Sequence, residues 1–329
     1  MIRENNPTGA YIAITVAMKR LVFSLLILSA ALCATPARAD NLQPDPAFND
    51  LIARLEADGF DPETLRLVFT HPDAEYDPGS MGTKLRALYN KKYVVRPPKP
   101  KPKKNAPRKK ITLEEVHLTV EMLTALVSFK WEYGDALKEA EEAYNVPESV
   151  LLSILIVETK LGTFLGTTTA FKALAGMAAA DEFSDVEYFF KDYGLTDEQK
   201  EYLTEKQAAK AEWAYGELKA LLTHAHDNNL DPVSLPGSVY GAIGLCQFMP
   251  SNAIRLGVDG DGDGVVDLFN PVDAIHSIGR FLKNAGWKNS LSDKKKRKVI
   301  MAYNADAFYA KTVMAIAGKL AEFTPPPKP

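Results

Sequence analysis

Residues 154–162 read ILIVETKLG, and they close the apolar run LLSILIV of residues 151–157. A carboxylate, Glu158, stands where that run ends. An ionised group in such company loses its hydration and needs a compensating partner or a change of charge state. Helical spacing puts Glu158 on one face with Ile154, Leu155 and Leu151, and Gly162 offers the stop. The pattern therefore delivers one carboxyl group, from an apolar face, at the C-terminal end of a helix. Desolvation disfavours its charged form, and the negative end of the helix dipole acts in the same direction. A carboxylic acid still protonated near neutral pH can serve as a general acid. An ordinary boundary glutamate paired with Lys160 would leave the same trace, and this stretch alone does not separate the two.

Two further stretches bear on that choice. Residues 237–251 read GSVYGAIGLCQFMPS. Gly237, Gly241 and Gly244 imply tight turns and close backbone approach. Gln247 and Ser251 place polar groups among apolar Phe248 and Met249. That mixture suits a cleft that grips a sugar, with apolar faces to stack on and a few amides and hydroxyls to orient it. Residues 302–310 read AYNADAFYA and carry Tyr303, Asn304 and Tyr309. Taken alone, the two tyrosines read as core aromatics with satisfied hydroxyls.

With ETKLG, GSVYGAIGLCQFMPS and AYNADAFYA in that order, the chain resembles the membrane-bound lytic transglycosylase B family of murein-degrading enzymes, within the lysozyme-like superfamily. The resemblance covers roughly residues 140–320 and is weaker through the N-terminal helices. It implies a mainly α, lysozyme-like α+β fold, with helical lobes around a glycan-binding cleft and at most a small sheet. It implies cleavage of the β-1,4 bond between N-acetylmuramic acid and N-acetylglucosamine without water, the 6-hydroxyl attacking its own anomeric carbon to leave a 1,6-anhydro end. The family's catalytic glutamate falls on Glu158, acting as acid and then as base with help from the substrate's N-acetyl group. Glycosidases that use two carboxyls are the commoner design; Asp181, Glu182 and Asp306 are the nearest second acids here, and all read as solvated. By the same resemblance Ser238, Gln247, Tyr303, Asn304 and Tyr309 bind sugar, and Phe248 and Met249 form cleft walls. The chain departs from the family in two places. It is longer around residues 185–230, and it has Asp306 where the family commonly has Ser.

Residues 259–273 read DGDGDGVVDLFNPVD. Asp259, Asp261, Asp263 and Gly264 match positions 1, 3, 5 and 6 of a calcium loop, in which hard oxygens at alternating positions wrap a hard cation. Asn270 replaces the usual Glu at position 12. The resemblance implies a longer loop whose bidentate acid is Asp273, with Val265 offering its carbonyl and Asp267 acting through water. A plain Gly/Asp turn leading into a helix capped by Asn270 is the simpler account, and the two are compatible. The expectation is a structural Ca2+, with no cofactor needed for the chemistry.

Outward from these motifs, the 329 residues carry 46% hydrophobic and 25% charged residues, a globular composition, and a net charge of −3 without a nucleic-acid signature. Lys19 and Arg20, the apolar run 21–32 and Ala37-Arg38-Ala39 read as a signal peptide. Residues 1–39 are thus an expected leader, with Met18 a second candidate start, and the periplasm the expected compartment. Cys33 follows Leu32, too bulky for a lipobox, so no lipid anchor is expected. Of the two cysteines only Cys246 remains beyond the leader, which excludes an internal disulfide. Residues 40–90 read as an N-terminal helical region, with a fresh helix start at Asp61-Pro62. Residues 91–110 hold ten basic residues, five prolines and no acid. They read as an extended linker, or as a peripheral contact with the wall or a membrane surface. Residues 111–323 form the expected catalytic domain, and 324–329 a disordered tail. Thr196 and Gln199 announce a helix over 196–229, which His224 and His226 close as a solvated end. The expected partner is the peptidoglycan strand, and the expected state a monomer. A water-using hydrolase with the same glutamate and a non-catalytic wall-binding protein are the rivals.

Overall fold

The computed structural model describes residues 43–95 and 112–328. The expected leader and most of the basic stretch 91–110 lie outside the described residues. Three helices come first: Asn49–Ala57 (α1), Pro62–Phe69 (α2) and Gly79–Tyr93 (α3). α2 starts as its sequence predicts, with Pro62 in the first turn and the Asp61 carboxylate accepting from Thr64 N. α3 runs on to Tyr93, so the first residues of the expected linker are helical.

After Thr112, which closes a capping box with Glu115, come Leu113–His117 (α4), Val120–Tyr144 (α5) and Glu148–Thr159 (α6). α5 breaks its helical geometry once, at Tyr133. In α6 every residue from Ser149 to Ile156 is buried. The helix is therefore apolar all round because it is central, packed between α5 and the last helix of the chain. Each fully buried Leu or Ile of this run contributes about 1.5–3 kcal/mol of transfer free energy. Strand Thr168–Thr169 (β1) precedes Ala170–Ala179 (α7). Two 3-10 turns, Phe183–Asp185 and Glu187–Phe190, then lead to the 31-residue Asp197–Asp227 (α8), opened by the expected Thr196–Gln199 capping box. Pro236–Gly237 (β2) pairs antiparallel with β1, Thr168 opposite Gly237, and makes the small sheet. Pro250–Leu256 (α9), Pro271–Asn284 (α10), Asp293–Tyr303 (α11) and Ala307–Leu320 (α12) complete the order.

The described residues from 44 onward form one compact unit. The N-terminal helices share its core: the Phe48, Phe69 and Phe171 rings meet edge to face at 5.1 and 5.2 Å, which joins α2 to α7. The long segment around 185–230 is mostly α8, and α8 ties those helices down. Arg54 forms a two-pronged pair with Glu212, at 2.7 and 2.9 Å, and Asp58 accepts from Tyr215 Oη at 2.9 Å and Lys219 Nζ at 2.6 Å.

Two local expectations are corrected. His224 is 2% exposed and packed inside the end of α8, with Asn228 Nδ2 at 3.2 Å from its Nδ1; only His226 is solvated. The spacing that takes i and i+2 off one helix face turns one of the pair inward. The tail is not wholly free either, because the indole of Trp131 donates to Pro326 O at 2.9 Å. Among the described residues no helix is long and apolar enough to cross a membrane.

Candidate active site

α6 ends in an abrupt reversal. Lys160, Leu161 and Gly162 all take left-handed backbone, at φ 51°, 59° and 87°. Leu161 N reaches back to Leu155 O at 3.0 Å, so the last carbonyls of the helix are satisfied and the chain leaves at once. Glu158 is left on the last turn, partly buried. Its neighbour Thr159 is fully buried and donates to Leu245 O at 2.9 Å, while accepting from Gly162 N at 3.1 Å. Thr159 therefore fastens the helix end to the loop 237–249. Sequence reasoning gave Thr159 no role, although it sits inside the ETKLG motif itself.

That loop is folded tightly. Ile243 bridges to Gly237 on one side and to Phe248 on the other. Gly244 has φ 74°, and a Cβ there would stand 2.4 Å from Leu268 Cβ, so only glycine fits. Ser238 braces the turn, its Oγ accepting from Tyr240 N at 3.3 Å and Ala242 N at 3.1 Å. Gln247 takes φ 50°, and its Nε2 donates to Gly244 O at 3.1 Å. Phe248, expected as a cleft wall, is 2% exposed: its ring packs on Phe281 and Tyr303 at 5.6 and 5.7 Å and supports the site from beneath. Met249 is partly buried, next to the start of α9.

α11 and α12 bring in the tyrosines. Tyr303 donates to Cys246 O, and its ring lies parallel to that of Tyr309, 6.4 Å away at 8°. Tyr309 Oη donates to Glu158 Oε1 at 2.6 Å. Asp306 caps α12 by accepting from Phe308 N at 2.7 Å, so the departure from Ser at this position keeps an N-cap residue. Asn304 is exposed at the C-cap of α11, and among the described residues no hydrogen bond joins its side chain to Glu158. The structure thus brings Tyr303, Tyr309 and the 237–249 loop around Glu158, and leaves Asn304 on the rim.

Burial pushes the Glu158 carboxyl up to about 7, and the Tyr309 hydroxyl opposes part of that shift by favouring the charged form. Burial and the nearby Glu158 charge push both tyrosine hydroxyls far above their usual range, so Tyr309 remains a donor. No ion pair joins Glu158 to Lys160 among the described residues, which sets aside the plain boundary glutamate. Two other carboxylates are buried, neither hydrogen-bonded to this group. Glu217 of α8 holds the start of α9, its oxygens accepting from Ser251 N at 2.9 Å and Ser251 Oγ at 2.8 Å. Asp273 belongs to the aspartate loop.

In that loop, ligand oxygens of Asp259, Asp261 and Asp273 lie within 4.8 Å of one another. Asp273 is 1% exposed, with both oxygens fixed by Gly260 N at 2.8 Å and Asp267 N at 2.7 Å. Its carboxyl is pushed up to about 6 by burial first, and further by Asp261 and Asp259. A cation would relieve that crowding, and an all-carboxylate donor set suits a hard one. Asp263, expected as a ligand, is outside this group, and its Oδ1 accepts from Val265 N at 2.8 Å. Val265 is engaged there through its N–H.

The model of the transglycosylase SLT domain family matches residues 43–294. The chain belongs to that family. The transglycosylase SLT domain chain is also 35% identical over 161 residues to the membrane-bound lytic murein transglycosylase B of Escherichia coli. That match covers 49% of this chain and spans 37% of the relative's length. The relative's name gives no support to the expectation that an anchor is absent. The fold matches the Escherichia coli lytic transglycosylase SLT35 in complex with calcium, at 21% identity and a TM-score of 0.60, over 87% of this chain and 98% of that one. It also matches Pseudomonas aeruginosa SltB3 in complex with NAG-anhNAM-pentapeptide, at 18% identity and a TM-score of 0.59, over 83% and 78%. The mainly helical, lysozyme-like architecture expected from the sequence is that of these lytic transglycosylases.

Proposed function

We propose that this chain is an exported lytic murein transglycosylase acting on peptidoglycan strands between N-acetylmuramic acid and N-acetylglucosamine. The observation that carries the reading is one partly buried carboxyl, poised near 7 and held by one tyrosine hydroxyl, in a site with no second acid bonded to it. Near neutral pH such a group is present in both protonation states, as a residue that acts first as acid and then as base requires. Glu158 gives its proton to the glycosidic oxygen as the bond to the anomeric carbon breaks. It then takes the proton of the 6-hydroxyl as that oxygen bonds the same carbon, so the glutamic acid is restored and no water is consumed. Tyr309 fixes the carboxylate, while Tyr303, bonded to the Cys246 carbonyl, holds the loop that carries Gln247.

The aspartate loop is read as a structural Ca2+ site held by Asp259, Asp261 and Asp273, outside the chemistry. The periplasm and a monomeric state complete the reading. Digestion of purified sacculi, followed by mass spectrometry of the released muropeptides, tests it. Anhydro ends are expected; reducing ends would make the chain a hydrolase, and no release at all would leave a wall-binding protein. Glu158→Gln is expected to lower release at least 1,000-fold with helicity unchanged.

A further inference from the structure

Two stretches of this chain carry the same four residues. Residues 97–100 and 326–329 both read PPKP, the first inside the basic stretch 91–110 and the second in the segment that follows α12. Proline at that density presets φ and favours the polyproline II form, whose carbonyls have no partner within the segment. The structure shows what one of those carbonyls meets. The indole N–H of Trp131, half-buried on α5, donates to Pro326 O at 2.9 Å, and this is the one hydrogen bond that residues 324–328 make among the described residues. Pro326, Pro327 and Lys328 are otherwise exposed. An aromatic side chain that reads the carbonyls of a proline-rich strand is the means by which aromatic-lined grooves select such strands.

Charge distinguishes the two copies. Glu132, Asp135 and Glu139 follow Trp131 within about 12 Å of helix, and all three are exposed. Neither Asp135 nor Glu139 forms an ion pair among the described residues. Residues 96–104, RPPKPKPKK, hold five cations and no acid, whereas residues 324–329 hold one cation, Lys328. The acidic surroundings of Trp131 therefore suit the first copy of the tetrapeptide better than the one seated there. Reach decides which molecule supplies it. Pro98 follows Val95 by three residues, about 10 Å of extended chain. Val95 lies two residues past the end of α3, which packs on α7, α8 and the turn 187–190. Trp131 sits on α5, which packs on α6 and α10. The 97–100 copy of the same chain is thus tethered to another part of the fold, and the copy free to approach belongs to a second molecule.

We propose that Trp131 is a docking site for lysine-bearing proline segments, closed in the single molecule by residues 325–328, and that its occupant when open is the PPKP of residues 97–100 in a second copy of this chain. The monomer is the closed form. A segment on the same chain acts at an effective concentration on the order of millimolar, so a second copy displaces it only where chains are crowded. The extra cations of residues 96–104 favour that exchange. The inference stands apart from the chemistry at Glu158.

The test uses the full chain. A peptide of residues 96–104 is titrated in, and the indole N–H resonance of Trp131, identified by its loss in Trp131→Phe, is followed by NMR. A saturable shift is expected. In the chain carrying Pro325→Gly, Pro326→Gly and Pro327→Gly, the carbonyls remain but the preset extended form is lost. That chain is expected to bind the peptide at least tenfold more tightly. A peptide carrying Pro97→Gly, Pro98→Gly, Pro100→Gly and Pro102→Gly has the same charge and is expected to bind at least tenfold more weakly than its parent. Equal binding of the two peptides, or no binding of the parent peptide to the glycine variant of the chain, would overturn the inference. Sedimentation then identifies the occupant. The average mass of the glycine variant is expected to rise with concentration, and to return to the monomer's when the peptide or Trp131→Phe is added. A mass that stays monomeric at every concentration would remove the second copy as occupant. Association that survives Trp131→Phe would place the contact on another surface, and also overturn the proposal. Circular dichroism of each variant separates lost binding from lost folding.

Discussion

Glu217 lies between Ala214 and Leu221 on the buried face of α8, and both its oxygens are taken by Ser251. Glu158 occupies a similar apolar setting, but a single hydroxyl reaches it. Sequence reading singles out Glu158 and passes over Glu217, which is buried as well; what each accepts separates a structural cap from a poised acid. The same logic predicts how the site titrates. The Tyr309 hydroxyl favours the charged form of Glu158, so Tyr309→Phe should raise the carboxyl further above 7. A hydrogen bond to a charged group is worth about 1.5–3 kcal/mol, so the alkaline limb of kcat/KM should move up by about one pH unit or more. An unmoved limb would mean that Glu158 is not the group whose protonation limits the rate. The raised carboxyl also has a sign for stability. Relative to its ordinary 4.5, it contributes stability that is full below that value and lost as pH rises through about 7. The structural integrity expected of Glu158→Gln should therefore hold above neutral pH, where the parent carries a desolvated charge.

The segment 237–251 is held from two sides, by Thr159 at the end of α6 and by Glu217 at the start of α9. Glu217→Ala would leave the Ser251 N–H and hydroxyl without their partner at a helix start. We expect a loss of about 2–3 kcal/mol in urea unfolding, from a lost cap and unsatisfied donors. Glu217→Gln, which keeps one acceptor oxygen, should recover part of it; equal stability of all three proteins would remove the buttress from the account. At this scale much was legible. Proline and aspartate at residues 61–62, the Thr196–Gln199 box and the Gly162 stop each act through local backbone chemistry, and the elements begin or end there. The aromatic Phe248 was misread because a loop residue among glycines looks solvent-facing, and it is the packing of Phe281 from α10 and Tyr303 from α11 that turns it inward. His224 failed for the same reason: which of two neighbouring residues faces the core depends on a partner distant in sequence.

Across the molecule, the sequence motifs lie far apart and their meeting is tertiary. Glu158 and Tyr309 are 151 residues apart, and no local pattern announces their bond; the family resemblance puts Tyr309 near the acid as a sugar binder, and the bond between the two emerges only in the fold. The N-terminal helices, which carry no motif, join the same core through Phe48, Phe69 and α8. The aspartate loop belongs to this scale too, because Asp273 stands in the first turn of α10 and couples the loop to a helix packed on α5. At 1 mM Ca2+ and a dissociation constant of about 0.1 mM, binding stabilises the fold by about 1.4 kcal/mol. Chelation should lower the melting temperature by a few degrees, and added Ca2+ should restore it. An unchanged melting curve, with no metal in the purified protein, would withdraw the cation. Asp273→Asn should abolish the response to Ca2+.

Cys246 sits fully enclosed in the same loop whose carbonyl receives Tyr303, and burial pushes its thiol well above the usual range. A thiol reagent can reach it only when the loop lifts from the end of α6. The rate of labelling is therefore a clock on the opening of the cleft, and a bound strand that keeps the loop down would make that clock run slow.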